Sequence, residues 1–244
     1  MRVEISPLET LPEVRRGDDL ARLIREAAAR EGQSLDESAM LAVAQKVVSK
    51  AEGAVVDLRE IQPSALARSW AGEYGKDPRL IELILAQSRR IVKMDRGVLV
   101  TENRLGLVCA NAGVDQSNTE GDDFATVLPE DPDASARLLL SALGCGAIVV
   151  TDTFGRPWRE GLVDVAIGVA GFAPLEDYRG CPDRRGRKLS GTIIAFADQV
   201  AAAAGLMMRK ADGCAVVLIR GLEWRAAEGS ARALIRPPEQ DLFR

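Results

Sequence analysis

Two short stretches carry side chains able to do chemistry. VVTDTFGRPWREG, Val149 to Gly161, turns abruptly polar at Asp152 and Thr153, then presents Arg156, Pro157, Trp158 and Arg159. NAGVDQSN, Asn111 to Asn118, offers Asp115 and Asn118 in a segment too polar for a core, with Asp122 and Asp123 just beyond it. Carboxylate and hydroxyl oxygens are hard donors. Two such stations can together hold magnesium or manganese, which take one or two protein carboxylates and complete their shells with water and substrate phosphates. The same acids also suit turns and caps, and spacing alone leaves both readings open. Arg156 and Arg159 sit on a segment stiffened by Pro157 and Trp158, and the guanidinium fork suits phosphate or carboxylate. The alternative is that Trp158 packs and the arginines stack on it. Further cations are Lys46, Lys50 and the run Arg179 to Lys188, which holds five basic residues in ten and reads by itself as a solvated face.

Absences narrow the chemistry further. The chain has no histidine, which removes Ser-His-Asp and Cys-His nucleophiles and imidazole metal ligands. Cys109, Cys145, Cys181 and Cys214 form no CxxC pair, so a zinc site is not expected, and scattered thiols suit a reducing cytoplasm. No GxxxxGK[ST] occurs, so no ordinary P-loop is present. In GCGAIV the glycines of Gly144–Gly146 read as a helix C-cap, because the motif precedes a strand rather than following one. A net charge of −4 gives no general reason to expect nucleic acid or a membrane surface. The start, MRVEISPLET, does not read as a signal peptide, and no long uncharged apolar stretch suggests a membrane span.

These residues need a scaffold. At 244 residues the chain makes one large unit or two interlocked ones, with enough apolar content, 47%, to bury a core without staples. Leu20 to Glu31 predicts an amphipathic helix, begun by Asp18 or Asp19 and ended by Gly32. Met40 to Val56 starts strand-like and is broken at Gly53. Pro78 to Arg89 and Asp131 to Leu143 read as helices, each with proline in its first turn. Ile91 to Val108 reads as hairpins around DRG and ENRLG, Gly146 to Val150 as a short strand, and Val163 to Val169 as another. Ser190 to Met208 predicts one long alanine-rich helix, Ala215 to Ile219 a buried strand, and Pro238 to Gln240 a frayed tail. Strands and helices do not alternate steadily, so the fold class expected is α+β with mixed sheets and packed helices.

With these motifs in view, the chain resembles the coenzyme F420-0:L-glutamate ligases, the F420 γ-glutamyl ligases. AQKVVSKAEG, NAGVDQSN, TDTFGRPWREG, VAIGVAG and DYRG carry the resemblance, in that order and over nearly the whole length. It implies a GTP-dependent ligase that joins L-glutamate to the carboxylate of the coenzyme's phospholactyl arm through an acyl phosphate, with further glutamates as an extension. It implies manganese or magnesium, as a pair, with potassium as a further candidate. Asp115, Asp152 and Thr153 match metal ligands, and Asn118 a nucleotide contact. Pro7, Leu8, Glu9 and Thr10 match an N-terminal GTP segment, and Gln45 and Lys50 two more GTP positions. Met208, Arg209, Lys210, Ala211, Asp212, Gly213, Cys214 and Ala215 match a late nucleotide stretch. Lys210 departs from the pattern, because it falls where a glutamine oxygen can serve a metal and an ammonium cannot. Arg156 and Arg159 would meet the anions that the metals hold. The basic run would meet the coenzyme's phosphodiester or glutamate. The resemblance also implies a homodimer with the site near its interface, a stand-alone unit spanning 1–244, a cytoplasmic setting, and no nucleic-acid or membrane partner. Two alternatives stay open: a ligase of the same scaffold with another carboxylate acceptor, and a non-catalytic nucleotide- or coenzyme-binding protein.

Overall fold

The computed structural model describes residues 2–119, 121–208 and 213–241. In chain order it forms β1 (Glu4–Pro7), α1 (Leu20–Arg30), β2 (Met40–Ala44), α2 (Gln45–Ala51), β3 (Val55–Asp57), α3 (Ala65–Tyr74), α4 (Pro78–Gln87), β4 (Ser88–Asp95), β5 (Val98–Asn103) and β6 (Val108–Ala110). There follow β7 (Phe124–Thr126), α5 (Pro132–Leu143), β8 (Ala147–Arg156), β9 (Arg159–Ala170), β10 (Glu176–Asp177), β11 (Ile193–Ile194), α6 (Phe196–Gly205) and β12 (Val216–Arg220). The architecture is α+β, with mixed sheets and packed helices, as composition and pattern predict. Among the described residues no helix is long and apolar enough to cross a membrane.

A five-stranded sheet, ordered β1-β12-β2-β8-β9, is the centre. Only β2 and β8 run parallel; the other pairs are antiparallel. Both faces of the sheet are covered, so its middle strands read as unbroken apolar runs rather than alternating ones. Leu41, Val43, Ile148, Val150, Val216 and Leu218 face one core with α1 and α5. Met40, Ala42, Ala147, Val149, Val217 and Ile219 face the other with Phe196 and Val200 of α6. Each of the valine, leucine, isoleucine, methionine and phenylalanine side chains among these contributes about 1.5–3 kcal/mol by burial. A one-residue slip would exchange the two sets, so large residues fitted to one core would meet the other. A third core joins Trp70, Ile81, Ile84 and Leu99 between α3, α4 and the three-stranded sheet β4-β5-β6.

Cap chemistry sets the helix ends as the sequence predicts. Asp19, Asp77 and Asp131 each accept a first-turn backbone N–H, and Pro78 and Pro132 stand just inside their helices. Gly144 closes α5 in the left-handed region at φ 68°. Gly146 is not part of that cap. A Cβ there would lie 2.1 Å from the Glu37 carbonyl oxygen and 2.7 Å from Trp224, so the backbone of the Glu37 segment packs directly on it.

Three further expectations need correction. The strand read over Gly146 to Val150 does not stop there. It continues to Arg156, because β9 supplies a pairing partner to the tip of the arm. The alanine-rich helix begins at Phe196 rather than Ser190 and stops at Gly205, because Ile193–Ile194 is drawn into a ladder with Glu176–Asp177. The Pro238 to Gln240 tail forms a 3-10 turn. Elements β1, α2, β3, α3, β7 and β10 had no counterpart in the sequence reading; the strand-like run read from Met40 stops at Ala44, and Gln45–Ala51 is helix.

The close approach at Gly146 sets a test. Gly146→Ala should destabilise the protein by about 3 kcal/mol, since overpacking here meets backbone rather than a movable side chain. Urea unfolding at the wild-type midpoint would contradict that packing.

Candidate functional site

The parallel pairing stops at Ala44 opposite Thr151, so β2 ends there while β8 runs on beyond it to Arg156. Ligands commonly bind at the edge where parallel pairing stops. The chain turns from Ala44 directly into α2, which sets Gln45, Lys46 and Lys50 at the edge. Beyond Thr151, β8 carries Asp152 and Thr153 onward, opposite Val165 and Asp164 of β9. The Ala44 N–H donates to the Ala215 carbonyl at 2.8 Å, which brings the approach to β12 alongside. Asp115 arrives on a separate segment through a two-way backbone bridge to Thr126, at 3.0 and 2.8 Å. To reach it the chain passes Asn111 and Ala112 at φ 55° and 56°, where a non-glycine residue costs about 1–2 kcal/mol. Such strain is common where a loop must aim a functional side chain.

These walls enclose a cavity of about 660 Å³, within the range of small-molecule sites. Of the residues the sequence singles out, Gln45, Lys50, Asp115, Asn118, Asp152, Thr153, Met208, Gly213, Cys214 and Ala215 line it. Others are placed elsewhere. Pro7 ends β1 opposite Val217, and Leu8 is buried in the core. Thr10 is tied to the end of α1: its N–H donates to Glu31 at 2.7 Å, and its carbonyl accepts from Arg30 at 2.9 Å. Glu9 lies near enough to Cys214 to disfavour its thiolate. The N-terminal wall of the cavity is Leu11 to Val14, the segment after these four. Arg156 and Arg159 pair across the Pro157–Trp158 turn at the tip of the β8–β9 arm and do not line the cavity. The tip lies three residues past Thr153, about 10 Å along the strand. Trp158, at the same turn, is 82% exposed. Arg179 is paired with Asp177 at 2.6 Å on an exposed loop. Arg209, Lys210, Ala211 and Asp212 lie outside the described residues.

Electrostatics divide the cavity into two stations. At the first, Lys46 Nζ lies 2.9 Å from Asp115 Oδ2 and donates to Ser117 Oγ at 2.5 Å. The Ser117 N–H and hydroxyl both donate to the same carboxylate, at 2.7 and 2.9 Å. Burial by itself would raise the Asp115 pKa, but Lys46 and the Ser117 donors outweigh it and hold the carboxyl below its ordinary range. Lys50, one helical turn from Lys46, reaches Glu13 at 2.5 Å. At the second station the Thr153 N–H donates to Asp152 Oδ1 at 2.8 Å, and the Thr153 hydroxyl donates to Asp164 Oδ1 at 2.5 Å. Burial, with the Asp152 charge adding to it, pushes the Cys109 thiol up to about 12, and burial raises that of Cys214.

Asp164, Ser117, Glu13 and the Leu11–Val14 wall escaped the sequence reading. Asp164 becomes significant only once β8–β9 register places it opposite Thr153.

The carboxylate and hydroxyl oxygens of the two stations could contact a hard cation, whereas the Lys46 and Lys50 ammonium groups could not and suit an anion. Among the described residues, no three Asp, Glu, Cys or His side chains gather into a cluster that could hold a metal ion. A cation held by only one or two carboxylates would complete its shell with water or phosphate oxygens.

Comparison with known proteins points to a family. The model of the family described as F420-0:Gamma-glutamyl ligase matches residues 9–221. The chain is 44% identical over 252 residues to a protein of Methanothermobacter thermautotrophicus named Coenzyme F420:L-glutamate ligase, covering 100% of both. It is 49% identical over 255 residues to the protein of that name from Methanopyrus kandleri, covering 100% of this chain and 98% of that one. For Methanocaldococcus jannaschii the figures are 38% over 252 residues, with 100% and 97% covered.

The first station makes a pH prediction. With a lowered native pKa, whatever Asp115 contributes to stability is present above the ordinary carboxylate range and lost as pH falls through the lowered value. Lys46→Met removes the chief influence lowering it. The Asp115 carboxyl should then titrate higher than in wild type by carboxyl-detected NMR, and an unchanged titration would contradict the pairing.

Proposed function

This chain belongs to the F420-0:Gamma-glutamyl ligase family, and we propose on that premise that it is a GTP-dependent coenzyme F420:L-glutamate ligase. The observation that carries this reading is the meeting of Asp115 and Lys46 with Asp152 and Thr153 on one cavity at the β2–β8 edge. In the reaction, the γ-phosphoryl group of GTP passes to the carboxylate of the coenzyme's lactyl arm, and GDP leaves. The amine of L-glutamate attacks the resulting acyl phosphate, loses a proton, and displaces inorganic phosphate to leave an amide. Phosphoryl transfer asks a protein chiefly for position and charge, and needs neither histidine nor a covalent nucleophile.

The side chains divide this work. Lys46 and Lys50 bring point charges to phosphate oxygens, exchanging their present carboxylate partners for the nucleotide. Asp115, Asp152 and Thr153 present oxygen to divalent cations, manganese or magnesium, with potassium as a companion. When bound, those cations supply positive charge against the phosphates during transfer. Gln45, Asn118 and the wall at Gly213 to Ala215 hold the nucleotide, and the 209–212 stretch belongs to the same proposal.

A homodimer and a cytoplasmic setting complete the reading. On the arm Leu162 is 65% exposed, apolar area that a second copy would bury. In this reading Arg156 and Arg159, at the tip of the arm, would meet the anions.

The test is direct. The protein, the unglutamylated coenzyme, L-glutamate, GTP and manganese should yield a coenzyme heavier by one or more glutamyl units, dependent on GTP and metal, by mass spectrometry. Asp152→Asn should lose that product at least 100-fold while melting like wild type. GDP release with another carboxylic acid but not this coenzyme would move the acceptor. Neither product nor GDP would overturn the ligase.

A further inference from the structure

Asp164 has no part in the reading so far, yet its surroundings are unusual for a carboxylate. It lines the cavity from β9, and its only hydrogen-bond partner among the described residues is the Thr153 hydroxyl, at 2.5 Å. No ion pair reaches it among those residues. It also packs against the C-terminal end of α6. A Cβ at Gly205, the last residue of that helix, would lie 2.2 Å from Asp164 Oδ2 and 3.0 Å from its Cγ. The carboxyl end of a helix carries partial negative charge and disfavours a carboxylate. Gly205 follows four consecutive alanines, and a fifth would favour the helix more than glycine does. Local propensity and the helix dipole both oppose this arrangement, so its explanation lies in what Asp164 does to Thr153.

A threonine hydroxyl has one proton to donate and two lone pairs to offer. Left free, it rotates and can donate to a phosphate or accept from a neighbour. With its proton directed at Asp164, its oxygen can present only lone pairs toward the cavity. That is the state a cation requires, and a carboxylate behind the hydroxyl makes the oxygen a stronger donor. We infer that Asp164 is a positioning residue that fixes Thr153 as a cation-facing oxygen, and that Gly205 is bare so that Asp164 can reach it. This rests on the reading of Thr153 as a cation contact.

The experiment measures Mn²⁺ binding by electron paramagnetic resonance in the presence of a non-hydrolysable GTP analogue, without turnover. Outer-shell partners of this kind typically alter metal affinity by about 10–100-fold. Asp164→Ala should weaken Mn²⁺ binding within that range. Asp164→Asn, whose carbonyl oxygen can still accept the hydroxyl proton, should recover part of it. Gly205→Ala, which displaces the carboxylate without removing it, should weaken binding while leaving the melt intact. The deciding arm is Thr153→Val. If Asp164 acts through Thr153, adding Asp164→Ala to Thr153→Val costs no further affinity. A further loss as large in that background as in wild type would make Asp164 a direct ligand and overturn the inference. Equal Mn²⁺ affinity in wild type, Asp164→Ala and Gly205→Ala would also overturn it. Failure of the wild-type protein to bind Mn²⁺ at all would instead overturn the cation reading, and this inference with it.

Discussion

The parallel pairing of β2 with β8 is the constraint on which the rest depends. Among the described strands it is the one parallel pair in the central sheet, and it stops at Ala44 opposite Thr151, where β2 ends and β8 runs on. From that edge depart α2 with its lysines on one side and the β8–β9 arm with Asp152 and Thr153 on the other, while Asp115 comes in on a separate segment bridged to Thr126. The register is not free to drift. Ile148 and Val150 belong to one core while Ala147 and Val149 belong to the other, so a slip would put isoleucine against the space fitted for alanine. A chemically ordinary core thereby fixes polar atoms at the edge to within hydrogen-bonding distance.

Within the cavity, charge is balanced by contacts that a ligand can replace. Lys46 and Lys50 hold carboxylates at 2.9 and 2.5 Å, and both lysine side chains are largely shielded from water. A shielded ammonium needs a counter-charge, and a phosphate meets that need as well as a carboxylate does. Under the proposed function, release of Asp115 by Lys46 would make that carboxylate available to a cation, so that phosphate and cation binding would be coupled through one ion pair.

Much of this was legible in the sequence, for identifiable reasons. Asp77–Pro78, Asp131–Pro132 and Gly144 announce helix ends by local chemistry alone, and the structure uses them so. Asp115 and Asp152 were visible as acids in places too polar for core. The run Thr151 to Arg156 did not look like strand, because its conformation comes from pairing with β9 rather than from its own residues. Ser190 to Ala195 looked helical by composition but is claimed by a ladder some fifteen residues distant in sequence. Ser64 and Gly75 cap α3 by ordinary chemistry, and that signal was overlooked. Asp164 could not be found from sequence at all, since its partner Thr153 is set by register and its space by the missing Cβ of Gly205.

The central claim is that Asp115, Asp152 and Thr153 serve one cation-bound phosphate group in this cavity. The most direct measurement is the anomalous scattering of manganese in crystals grown with Mn²⁺ and a non-hydrolysable GTP analogue. The account predicts a manganese peak within coordination distance of oxygens of Asp115, Asp152 or Thr153, beside the analogue's phosphates. Manganese bound elsewhere, with none of these three residues within coordination distance, would contradict it.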